Sequence, residues 1–243
     1  MKLIDVHVHL GSWMFPIPPV SPEQLLTAMD RFQIEQSIVS SSSAILYDFR
    51  AGNRELLEMI HDHPRLWGYI VVNPNYPEES LAELEKYWTQ PRFLGVKFHP
   101  EQHAYAINNE NAMRILHKVG TMGKPILVHT FGREQVSNLG AVAAAFPELT
   151  VIMAHMGGDA WQEGITAAAR YPNLYLEPCS SFADSDKIGA AVRAIGADRI
   201  LFGSDATLLH PGFTFGMLRD ASITESQREL IAAVNARRIF HLT

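Results

Sequence analysis

Hydrophobic and polar positions along this 243-residue chain follow two alternating rhythms. Short runs rich in β-branched and aromatic residues stand at 2–9, 36–42, 66–73, 93–99, 124–130, 149–155, 173–180 and 199–205. Between them lie segments whose apolar residues recur at helical spacing, near 22–33, 52–62, 78–89, 109–122, 134–145, 159–170 and 184–195, with a last one over 224–240. Ser21 is placed to cap the first helix, with Pro22 at its first position and Gln24 able to close a capping box. Strand and helix alternating in this way build a parallel sheet covered by helices, and eight units predict a (β/α)8 TIM barrel in one domain over 1–243.

The first strand raises a chemical question. In KLIDVHVHL, Asp5, His7 and His9 alternate with Ile4, Val6, Val8 and Leu10, which places the polar set on one face. Barrel enzymes carry their chemistry at the C-terminal ends of the strands. The predicted strands end in His7 and His9, in Lys97 and His99, in His129, in His155 and in Asp205. Imidazole and carboxylate suit Zn2+ or another divalent ion, at roughly 2.0–2.2 Å. Burying several histidines without a shared role would cost about 1–3 kcal/mol for each unsatisfied polar group, and a common ion removes that cost. His61 and His63 have the same spacing but lie in a helical pattern ending at Pro64, so they are expected at the surface as a helix terminus.

Composition narrows the function classes. A net charge of −6 argues against a nucleic-acid surface, and no 18-residue uncharged apolar run marks a membrane span. With 47% hydrophobic residues a sizeable core can form. The lone Cys179 rules out an internal disulfide framework, and a start without an apolar signal core leads to the expectation of a cytoplasmic protein. Cys179 itself is expected to be a buried structural thiol turned away from the face of Glu177 and Ser180.

DVHVH, GVKFHP, ILVHT, AHMGG and LFGSD, in this order, resemble the amidohydrolase superfamily, in its amidohydrolase-related branch that includes aminocarboxymuconate semialdehyde decarboxylase. The closing NARRIFHL is similar to that branch's C-terminal helix. The resemblance implies that His7, His9, His129 and Asp205 hold one Zn2+ or similar ion per chain, with His155 beside it as an acid/base partner. Asp5 would orient an imidazole, and Lys97 would either face a substrate carboxylate or, carboxylated, bridge two metals. Relatives in the branch are often dimers, which makes a homodimer one expectation.

Further substrate contacts are expected from His99, from Arg133 as a bidentate anion binder and from Trp161 as an aromatic wall, with Glu101, His103 and Tyr105 in a polar loop. The Pro-rich segment 11–21 overhangs the same face as a lid or wall. The leading expectation is a metal-dependent hydrolase of a small carboxylate, lactone or amide, with Asp205 taking a proton from an activated water and His155 stabilising developing charge. The alternative is nonoxidative decarboxylation of an unsaturated acid at the same site. A TatD-type nuclease is disfavoured by Lys97 on the fourth strand and by the net charge, and a non-catalytic metal-binding barrel is the remaining reading.

Overall fold

In the computed structural model, which describes residues 1–181 and 184–243, seven strands form one parallel sheet in sequence order. They are β1 (Leu3–Leu10), β2 (Ile34–Ser41), β3 (Leu66–Val71), β4 (Phe93–Phe98), β5 (Ile126–Val128), β6 (Val151–Met153) and β7 (Leu174–Leu176). Each is joined to the next by helical crossover, so the sheet curls with its helices outside.

The eighth predicted strand closes the ring without becoming a regular strand. Leu201 N donates to Leu176 O at 2.9 Å, while Val6 N donates to Phe202 O at 3.0 Å and Asp205 N to His7 O at 2.8 Å. Residues 200–206 therefore bridge β7 to β1. Gly203 and the left-handed backbone of Asp205 (φ 57°) break strand geometry there, which is why an apolar run that reads as a strand pairs on both sides but irregularly.

The helices begin where the caps predict. Ser21 and Gln24 form the capping box of Pro22–Arg31, and Thr224 and Gln227 form another ahead of Glu225–Glu229. Asp48 caps Phe49–Ile60, so that helix starts three residues before the predicted point. Two helices, Ser42–Leu46 and Pro211–Asp220, lie in segments expected to be loops. The C-terminal stretch is helical, with a π-turn over Leu230–Val234 before Asn235–Phe240. His61 and His63 fall just past the end of a helix, where His61 Nδ1 meets Asp62 at 2.7 Å, as expected for surface groups.

Two packing layers divide the molecule. Ile4, Val6, Ile38, Tyr69, Leu127, Ile152 and Leu201 fill the barrel interior, and Ala233, Ala236 and Phe240 cover one end of it. Val8 and Leu10 belong instead to the cluster under the helices, with Leu25 and Met29. The change of side within β1 follows from a register shift between Asp5 and Val8. Below the shift the even residues point inward; above it His7 and His9 do. The interior is thus apolar at the covered end and polar at the other. No described helix is long and apolar enough to cross a membrane.

Candidate metal centre

The polar end of the barrel gathers side chains from six staves, β1, β4, β5, β6, β7 and the closing segment. His7 and His9 on β1 and Asp205 on the closing segment present His7 Nε2, His9 Nε2 and Asp205 Oδ1, separated by 3.3, 3.1 and 3.5 Å. A tetrahedral centre with bonds of roughly 2.0–2.1 Å sets its ligand atoms about 3.3–3.4 Å apart, so these three edges fit one small divalent ion. All three groups are buried.

Electrostatics suit the same role. Burial pulls His7 and His9 below the ordinary imidazole range, which leaves them neutral and able to donate lone pairs. Burial opposes the charge on Asp205, but His7, His9 and His155 around it hold its carboxyl well below the usual range, so it is ionised. Two neutral imidazoles and one carboxylate form a donor set for Zn2+, Mn2+ or a similar ion.

Glu177 orients the first ligand. Just past β7, its Oε2 accepts the Nδ1–H of His7 at 2.8 Å, which fixes the tautomer that turns the Nε2 lone pair inward. The same oxygen accepts from Cys179 Sγ at 3.0 Å, and Oε1 from Cys179 N at 2.6 Å. Sequence alone assigned the orienting role to Asp5. Because of the register shift, Asp5 does not follow the face of His7: its carboxylate accepts from Ser204 N at 3.0 Å, Ser204 Oγ at 2.5 Å and His7 N at 3.2 Å, and so ties β1 to the closing segment. Burial raises its carboxyl to about 7. Cys179 is buried as expected but does not turn away, since its Sγ lies 3.4 Å from His7 Nδ1 and 3.5 Å from His155 Nδ1. Strand alternation fails there because β7 ends at Leu176, before Pro178.

His129 is not brought into the three-residue set. Its Nε2 donates to Glu101 Oε2 at 2.7 Å and its Nδ1 meets His155 Nε2 at 3.0 Å. The other nitrogen of His155 donates to Cys179 O at 3.0 Å. Burial takes His155 down to about 4. His155 and Asp205 both hold left-handed backbone, with φ of 59° and 57°, strain of the kind that concentrates at functional sites.

Lys97 is fully buried on β4 and donates from Nζ to His7 Nε2 at 2.9 Å, with burial lowering it to about 8. His99 stacks on His129 with ring centres 4.0 Å apart. Phe131 stacks on His129 itself, with ring centres 6.1 Å apart, and lies 5.6 Å from the His155 ring. Trp13, in the Pro-rich segment after β1, sets its edge on His9 at 5.0 Å and donates to Thr207 Oγ1 at 3.4 Å, so this segment does form a wall of the site. Arg133 does not reach it. Placed in the first turn of helix Gly132–Ala145, its guanidinium is exposed and pairs with Glu163 at 2.6 Å. Trp161 opens the next helix and donates to Asp184. A cavity of about 310 Å3, lined by Glu101, Tyr105, His129 and Gln135, runs alongside.

With the donor set at the strand ends of a closed parallel barrel, comparison with known proteins becomes decisive. The amidohydrolase family model matches residues 4–242. The chain belongs to the amidohydrolase family. It is an enzyme of that family and of the branch its motifs resemble. No curated protein matches it. Among solved structures, 5-carboxyvanillate decarboxylase of Sphingomonas paucimobilis superposes with a TM-score of 0.78 at 14% identity, covering 100% of this chain and 99% of that one. A dihydroxybenzoic acid decarboxylase of Polaromonas sp. JS666, with bound manganese and the inhibitor 2-nitroresorcinol, gives 0.82 at 18%, covering 99% and 97%. An amidohydrolase of Burkholderia multivorans with bound zinc gives 0.82 at 17%, covering 100% of both chains. At such identities the likeness establishes the fold shared within the amidohydrolase family.

Proposed function

We propose that the protein is a metal-dependent nonoxidative decarboxylase of an aromatic or similarly unsaturated carboxylic acid. The observation that carries this reading is the donor set His7, His9 and Asp205 enclosed by aromatic faces, Trp13 on His9 and Phe131 on His129 and His155. Solved relatives of the same fold that decarboxylate hydroxylated benzoic acids support it over the hydrolysis that the sequence put first.

His7, His9 and Asp205 would hold the ion, while His129 keeps its bonds to Glu101 and His155. A bound divalent ion supplies positive charge that draws in the oxygens of the acid. Trp13 and Phe131 exclude water and favour a planar substrate. Loss of CO2 breaks a carbon–carbon bond and leaves its electron pair on the ring carbon, which then takes a proton. The His129–His155 pair is built to supply one. Acceptors stand at both of its ends, Glu101 and the Cys179 carbonyl, so the contact between the two rings completes only when the pair takes up a third N–H. Burial makes that proton acidic and readily transferred.

The test is a screen of hydroxybenzoic acids, unsaturated acids, lactones and amides with the purified, metal-analysed protein. Release of CO2 from an aromatic or unsaturated acid is the expected result. Acid production from a lactone or amide without CO2 would return the assignment to hydrolysis.

A further inference from the structure

Lys187 is a fully buried ammonium that nothing in the donor set or the proton path uses. It begins helix Lys187–Ile195, on the loop that leaves β7 at Glu177, and its side chain is 1% exposed. Among the described residues its Nζ has no hydrogen-bond partner. Three acidic groups act on it, Cys179, Glu177 and Asp184, yet two are committed elsewhere. Both oxygens of Glu177 serve His7 and Cys179, and Asp184 accepts from Trp161. Lys97, the other fully buried lysine, differs in having His7 as its partner.

An ammonium buried without a hydrogen-bond partner is destabilising, because burial removes its hydration and no direct contact replaces it. Its helix starts on the loop that leaves β7 past Glu177 and Cys179, which themselves touch His7, and a buried ammonium without a hydrogen bond at this end of the barrel points to an anion delivered from outside the chain. We infer that Lys187 binds an anionic group of the substrate other than the carboxylate that is lost, a second carboxylate or an ionised phenol. The inference rests on the substrate being an acid, as proposed above, and goes further by assigning the residue that recognises a second acidic substituent.

The test compares benzene-1,3-dicarboxylate with its monoamide, 3-carbamoylbenzoate, as non-reacting probes on the metal-loaded protein, by calorimetric titration and thermal melting. Both carry a carboxylate for the metal side, and only the first offers another to Lys187. The dicarboxylate is expected to bind roughly tenfold tighter, since a charge-assisted hydrogen bond replaces a neutral one. In Lys187→Met the two probes should bind alike, and the unliganded variant should melt higher than the wild type because a buried unpaired charge has gone. Lys187→Arg should keep the preference. A preference that survives in Lys187→Met, or a variant that melts lower or does not fold, would overturn the inference by making the lysine a structural group. Binding without turnover keeps this result separate from the CO2 assay: loss of the preference without CO2 release would sustain the anion site and remove only the decarboxylase reading.

Discussion

Glu177 shows how one side chain sets the chemistry of another. Its carboxylate holds His7 by Nδ1, so Glu177→Gln should weaken metal binding by about 10- to 100-fold while the fold persists, as measured by competition with a chromophoric chelator. Glu177→Asp should recover part of the affinity. Lys97 makes a second test at this scale. Its Nζ donates to the His7 lone pair that an ion would use, so Lys97→Met should keep one ion per chain and bind it at least as tightly. A carboxylated, bridging lysine predicts the reverse: two ions in the wild type and a loss in the variant. Three of the four residues read from the sequence as ligands do meet, because a strand end can be located from apolar alternation and its last polar residue then faces the pocket. The hold of Glu177 on His7 and the inward turn of Cys179 were out of reach of that logic, since both residues follow the last regular residue of β7. Asp5 was misread because a one-residue shift in β1 leaves no mark in its alternation.

At the scale of elements, legibility follows local chemistry. Ser21, Thr224 and Asn109 announce their helices because a capping side chain is a sequence signal with one physical meaning. Helix Pro211–Asp220 has no such clarity: PGFTFGMLRD carries two glycines and two phenylalanines, poor helix formers, and it is held by tertiary packing of Thr214 and Leu218. Gly216 lies within it with open space where a Cβ would stand. Gly216→Ala should therefore stabilise the protein by about 0.5–1 kcal/mol, read as a higher denaturation midpoint. The closing segment 200–206 read correctly as barrel wall and incorrectly as regular strand, because pairing on both sides is compatible with the left-handed turn that aims Asp205 inward.

For the whole molecule, stability and chemistry sit at opposite ends of one barrel. Phe240, 3% exposed, closes the apolar end and packs edge-on against Tyr69 at 6.0 Å, while the Tyr69 hydroxyl donates to Val6 O at 2.8 Å. Phe240→Ala should cost about 3–5 kcal/mol in unfolding experiments and leave metal stoichiometry in the folded protein unchanged. The architecture was legible throughout the chain because eight strand-like runs and their helices leave little alternative to a closed parallel sheet. What the alternation could not convey is the order of contacts at the polar end, where residues far apart in sequence choose partners by geometry, as His129 does with Glu101 and His155.

The central claim is that His7, His9 and Asp205 share one divalent ion. Elemental analysis of the purified wild type beside the His7→Asn/His9→Asn double variant, with circular dichroism on both, tests it most directly. One ion per wild-type chain, and none in a variant that keeps its spectrum, is the predicted result. Equal metal content in the two proteins would contradict it.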